Sequence, residues 1–418
     1  MEYSNFTIWL LIEVLLCGFG IPWLIAIIDQ KIRKKRRDKI TQEGIIDFQK
    51  KLKNFDKANP QYDVLCSNTN LRQNYFHHKV QEGQFIIPFP EKEKSRLEEH
   101  DFHPVKLYGR EMRCKGIGNK LLAQLKELIV LNGVPKNEVE AFITKIAEET
   151  AEKFIYDIKA GKVRFNKYLY GVYEKPEQTD NECIINVYES DYFTFKTTTN
   201  IYNKLKKLNN HVELNNLYAP FLNSIGVGGF VIINRGEEDE LIWGYRGSNC
   251  QSGGYWHFSY DETFTHDDAE NQDQAATLIA CIKRALDEEL GINRNEDEKC
   301  LPNSQITIID GGIIHTDGKD NRYEFELCSF VRVCFSESYT FDDFIQNYRF
   351  AKDAELETRC LKLVKISEVD KFIKEEEEKG RISPESKALA MKIKYLADLK
   401  ILPTDDEGFH ELFPLVKI

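Results

Sequence analysis

The chain has 418 residues, a net charge of −11 and 42% hydrophobic residues. The acidic balance excludes a body that binds nucleic acid through its overall charge. The 10 cysteines are scattered with no C-x-x-C pair, which excludes a zinc ribbon and, in a cytoplasm-facing body, a disulfide frame; they read as free thiols.

Residues 6–28 are an apolar run whose one charge is Glu13. A helix of about 20 such residues crosses a hydrocarbon core. Trp9 and Trp23 stand near its ends, as interfacial anchors do. Lys31, Arg33, Lys34, Lys35, Arg36, Arg37 and Lys39 follow at once, and anionic headgroups of membrane lipids suit that run. The positive-inside rule then predicts a single pass in the cell inner membrane, with the N-terminus outside and the body cytoplasmic. A cleavable signal peptide would carry its charge before a shorter core, and this chain does not. Glu13, with Gly18, Gly20 and Pro22 nearby, marks a helix-assembly or pore position, or else reaches water at the outer face.

Residues 29–58 read as a basic juxtamembrane and helical linker. Residues 59–180 read as a mostly helical connecting region, irregular over 59–104, where Pro60, Pro88, Pro90 and Pro104 punctuate it. Two amphipathic helices are predicted at 119–131 and 137–160, with Leu122, Leu125, Leu128 and Ile129 on a packing face. His77 and His78 adjoin no other ligand cluster and read as surface or core residues. Nothing here has catalytic spacing, so the region's expected task is coupling or assembly.

Residues 181–418 form the expected globular domain. Strands are predicted at 184–187, 192–195, 222–233, 241–246, 306–314, 323–335 and 361–364, and helices at 275–290 and 384–396. The helix at 275–290 has no internal Gly or Pro, and Gly291 sits at its C-cap. Its end reads Arg284-Ala285-Leu286-Asp287-Glu288-Glu289-Leu290-Gly291-Ile292. This resembles the second half of a Nudix box, R-E-U-x-E-E-x-G-U with U apolar. Trp256 resembles the tryptophan that precedes the box, although Ser259, Tyr260 and Asp261 replace the usual proline and glycines. Ala285 and Ala276 stand where the family has glutamates. In an active site three carboxylates would share one helical face, as a hard cation requires. Only Glu288 and Glu289 remain for Mg²⁺, with Asp267, Asp268 or Glu270 as helpers.

A narrower resemblance covers Asp191-Tyr192-Phe193-Thr194, Thr199-Asn200 and the run from Tyr218 to Val227. These resemble the SMODS-associated Nudix-like domains beside cyclic-nucleotide synthases in bacterial CBASS anti-phage systems. The resemblance implies a receptor for a cyclic oligonucleotide that oligomerises when activated and disrupts the inner membrane. Arg246, Trp256, Tyr260 and Arg284 are the expected nucleotide-binding residues, and no cofactor is required beyond an optional Mg²⁺. The alternative is a membrane-anchored Nudix hydrolase that cuts a nucleoside diphosphate derivative with Mg²⁺, and a third reading is a tethered scaffold. The expected fold class is α+β: an N-terminal transmembrane helix, a helical connecting region and a C-terminal Nudix-like α/β/α sandwich with a mixed sheet.

Overall fold

The structure, a computed structural model, describes residues 62–68, 71, 75–93, 114–160, 166–208, 220–236, 238–247, 253–269, 274–292, 306–316, 322–333, 335, 339–351, 358–398 and 402. The chain begins with β1 (Tyr62–Ser67), β2 (Phe76–Gln84), α1 (Ile117–Leu131) and α2 (Val139–Lys159). Strands β3 (Tyr168–Val172), β4 (Glu177–Gln178) and β5 (Cys183–Asp191) lead to α3 (Tyr192–Leu208). Next come β6 (Ser224–Asn234), β7 (Asp239–Arg246), β8 (Trp256–His257), β9 (Tyr260–Thr263), the short α4 (His266–Ala269) and α5 (Gln274–Leu290). The last elements are β10 (Ile306–Thr316), β11 (Arg322–Val333), α6 (Phe341–Arg349), β12 (Thr358–Lys365), α7 (Val369–Glu377) and α8 (Pro384–Asp398).

These strands form one mixed sheet of 12 strands, whose main path runs β1-β10-β11-β6-β3-β5-β2. β6 pairs parallel with β11 and antiparallel with β7 and β9, and β12 extends the β7 branch. The sheet curls until its far regions meet. Gln178 of β4 donates its amide to Ser67 O of β1 at 2.9 Å and accepts from Ser67 N at 3.3 Å.

Strand alternation decides what lies on each side of the curl. Ile225, Val227, Val231 and Ile233 of β6 face the same core as Phe325, Leu327, Val331 and Val333 of β11. Helix α5 fills that inner core with Leu278, Cys281, Ile282, Ala285, Leu286 and Leu290. Phe230, Ile232, Cys328 and Phe330 point outward, against α7 and α8. Beyond β3 and β5, helices α1, α2 and α3 build a third core around Leu121, Leu125, Ile129, Phe154 and Phe193. Each fully buried Leu, Ile or Phe contributes about 1.5–3 kcal/mol of transfer free energy, so α5 is held chiefly by its apolar row.

Several sequence expectations are corrected here. The fold class is not a membrane helix joined through a helical connector to a separate C-terminal sandwich. It is one α+β fold with a curled mixed sheet. The stretch expected to be irregular supplies β1 and β2, and β3 and β4 also precede residue 181. The connecting region's strands pair directly with β10, β5 and β6.

The single-pass inner-membrane localisation is corrected as well. Among the described residues no helix is long and apolar enough to cross a membrane. Residues 6–28 with Glu13, and the linker over 29–58 with its basic run, lie outside the described residues.

The strand expected at 192–195 is the first turn of α3. Asp191 Oδ1 accepts from Thr194 N at 2.7 Å, and Asn166 Oδ1 accepts from Phe193 N at 2.9 Å. This capping of the first-turn amides outweighs the strand preference of the aromatic and Thr residues.

Candidate functional site

Helix α5 carries Arg284, Ala285, Glu288 and Glu289. Its buried positions recur every three or four residues, which turns one face into the inner core. Gly291 ends it with φ +66°, and an added Cβ there would lie 2.5 Å from Asn347 O of α6. Only glycine both takes that conformation and admits the neighbouring helix. Ala285 has 0% exposure and packs within the apolar core. The position that the resemblance marks for a carboxylate is therefore a packing position.

Arg284 is the hub of the half-buried rim of α5. Its Nε and Nη2 donate to Asp268 of α4 at 2.8 and 2.9 Å, and Nη2 also donates to Thr263 O at 2.9 Å. Nη1 lies 2.9 Å from Glu262 and 3.7 Å from Glu288. Burial opposes the charge, but the hydrogen bonds to Asp268 and the charges around it hold the guanidinium above its ordinary range. The fork geometry of arginine suits this multiple clamp. Arg284 thus fixes the β9–α4 corner against α5.

Glu289, like Arg284, reaches β9. Its Oε1 accepts from the backbone N of Asp261 at 2.6 Å. The Asp261 carboxylate in turn accepts from Arg246 Nη1 at 2.6 Å. His257 Nδ1 lies 3.8 Å from the same Asp261 oxygen, and its Nε2 lies 2.9 Å from Glu385 of α8. A continuous polar line therefore runs from α5, through β9, β7 and β8, to α8 on the other side of the sheet. Burial pushes the His257 imidazole below its usual range, against the pull of Glu385 and Asp261.

The two remaining nucleotide candidates lie on different sides of the sheet. Tyr260 is fully buried in the inner core, and its hydroxyl lies 2.7 Å from Ser329 Oγ. Burial holds that phenol far above its ordinary value. Trp256 is half-buried on the outer side, 5.0 Å from the Tyr245 ring and 5.6 Å from the Phe372 ring. Lys362 Nζ lies 5.9 Å from its centroid. Arg246 and Arg284 belong to the polar line and its rim, while Tyr260 and Trp256 flank it from opposite cores.

The glycines of β6 have a specific role. The carboxylate of Glu326, buried on β11, lies over Gly226 and Gly228. A Cβ on Gly226 would sit 2.7 Å from Glu326 Oε2, and one on Gly228 would strike both Glu326 and the Phe258 ring. The Gly-Val-Gly-Gly run makes room for an acid rather than a tight turn.

The fit to Mg²⁺ is poor. Glu288 faces Arg284 and Glu289 is spent on a backbone amide. Among the described residues no group of three or more His, Cys, Asp or Glu side chains converges to hold a metal ion. Ala276 lies in the first turn of α5, and Glu270 lies outside the described residues.

Sequence reasoning did not find the His257–Glu385 pair or the seat of Glu326. The i,i+4 spacing of His257 and Asp261 was the only local signal, whereas Glu385 is 128 residues from His257. Comparison of the chain with protein-family models finds no match, and comparison with curated proteins finds none.

Proposed function

We propose that this chain is a non-hydrolytic receptor for a cyclic oligonucleotide, of the kind that serves bacterial CBASS anti-phage systems. The observation that carries the reading is the fate of the box carboxylates. The helix keeps its arginine and two glutamates, but these are bonded to the protein itself, and Ala285 packs in the core. The box is retained as a scaffold while metal-assisted phosphoryl chemistry loses its ligand set.

The same pairing favours a sensor. Arg246 and Arg284 both hold carboxylates. A phosphate group that takes either guanidinium displaces an internal anion. Ligand binding would therefore exchange one set of contacts for another, and this differential contact is what shifts a conformational equilibrium. Assembly of several copies on activation is part of the proposal.

The test is calorimetry of the full chain against a panel of cyclic di- and trinucleotides, alongside phosphate-release assays on nucleoside diphosphate substrates with Mg²⁺ or Mn²⁺. Binding without turnover is expected. Robust turnover that vanishes in Glu288→Gln and Glu289→Gln would establish the hydrolase alternative. Neither binding nor turnover would leave a scaffold.

A further inference from the structure

His257 is a buried imidazole between two carboxylates, Asp261 of β9 and Glu385 of α8. Glu385 Oε1 lies 2.9 Å from Nε2, and Asp261 Oδ2 lies 3.8 Å from Nδ1. That Asp261 oxygen already accepts from Arg246 Nη1 at 2.6 Å. The charged groups that act on His257 are thus Asp261 of β9, Glu385 of α8 and Arg246 of β7. The Phe258 ring lies 4.8 Å from the imidazole, edge-on.

We propose that capture of a phosphodiester anion by Arg246 is linked to uptake of one proton by His257. The inference rests on the nucleotide-receptor reading above and concerns the regulation of that same site. A neutral imidazole has a single N–H and satisfies one carboxylate. In the structure Arg246 neutralises Asp261 and also opposes a second positive charge beside it. When the guanidinium turns to an incoming phosphate, Asp261 loses its cation. A proton from solvent then joins Nδ1, and the imidazolium donates to Asp261 at Nδ1 and to Glu385 at Nε2. Charge balances: one anion enters and one proton follows it. Burial keeps His257 neutral before binding, and the freed Asp261 carboxylate, with Glu385, must offset that cost for the proton to join.

The consequence reaches α8. Glu385 sits in the first turn of α8. A salt bridge formed there on binding would tighten α8 against β8, so ligand at Arg246 reaches the outer helical layer through Asp261, His257 and Glu385. The network and its two protonation states supply the bistable element that such coupling needs.

The experiment is isothermal titration calorimetry of the full chain with the same panel of cyclic di- and trinucleotides, repeated in buffers of different ionisation enthalpy. Phosphodiesters stay ionised throughout, so any proton taken up belongs to the protein. We expect uptake near one proton per site and an affinity that rises up to about tenfold per pH unit on acidification across the linked range. His257→Gln, whose amide can still donate to Glu385, should bind with no proton uptake and no pH slope. Should that variant fail to fold, the imidazole NMR signals of His257 in the wild type give the same answer: they should shift to the protonated form when nucleotide is added at constant pH. Binding without proton uptake, or with the slope intact in His257→Gln, overturns this inference and leaves the receptor reading standing. Binding by no member of the panel overturns both.

Discussion

Lys392 of α8 and Asp310 of β10 form an ion pair with both side chains buried, 1% and 0% exposed. The Tyr62 hydroxyl of β1 donates to the other Asp310 oxygen at 2.6 Å and lies 3.1 Å from Cys328 Sγ of β11. Lys392 Nζ also stands 5.6 Å from the Tyr62 ring centroid. Burial, reinforced by the Asp310 charge, keeps the Tyr62 phenol well above its usual range, so it stays a donor. The cluster ties the first strand of the sheet to its last helix.

Removing one partner of that pair leaves a buried charge without its counter-ion. Lys392→Met should destabilise the fold by about 3–5 kcal/mol, and Lys392→Met with Asp310→Leu should recover much of the loss. Urea unfolding of the three proteins measures this. A single variant within about 1 kcal/mol of wild type would show that water or relaxation satisfies Asp310.

The close approach of Glu326 to β6 predicts a coupled pair. Gly226→Ala alone should cost about 1–3 kcal/mol through overpacking against the carboxylate. In a Glu326→Ala background the same change should cost much less. A double-mutant cycle in thermal or urea unfolding reads the difference, and additive effects would mean that the strain at Gly226 is relieved elsewhere.

How much of this was legible depended on the range of the interactions. The helix at 275–290 could be read because its apolar spacing, composition and Gly291 cap are all local. The strands at 224–234 and 322–333 were visible for the same reason. The N-terminal part of the sheet was not: the partners of β1 and β2 lie at β10 and β5, far along the chain, so the signal was tertiary. At 192–195 the aromatic residues spoke for a strand, while the capping by Asn166 lies 27 residues upstream of Phe193. At the site, the box motif located Arg284, Glu288 and Glu289 on one helix. It could not show that their charges close on Asp268, Glu262 and the Asp261 amide, because those contacts depend on how the β9–α4 corner folds back.

Arg284 should behave as a clamp. Arg284→Lys keeps the charge but loses the fork on Asp268 and the bond to Thr263 O. We expect a loss of about 1–3 kcal/mol, discounted because the side chain is 19% exposed. The fall in melting temperature should track that loss. If nucleotide affinity falls steeply while the melting temperature is unchanged, Arg284 contacts the ligand instead.

Asp191 predicts a pH dependence that can be isolated. Burial lifts its carboxyl from 3.8 to about 6, against the hydrogen bonds from Thr194 and Asn166. The folded chain therefore holds this proton more tightly than the unfolded chain between those values. An acid with a raised folded value stabilises the fold below its unfolded value. That contribution is lost as pH rises through about 4 to 6, and the loss is complete above the folded value. A shift of about 2 units corresponds to about 3 kcal/mol. Asp191→Asn keeps a capping oxygen for Thr194 N and removes the titration. Relative to this variant, the wild type should lose up to about 3 kcal/mol of stability between pH 4 and pH 6 and no more between pH 6 and pH 8. Urea unfolding of both proteins across that range gives the comparison. A constant difference at every pH would mean that Asp191 stays ionised in the fold, held by the α3 amide and Asn166.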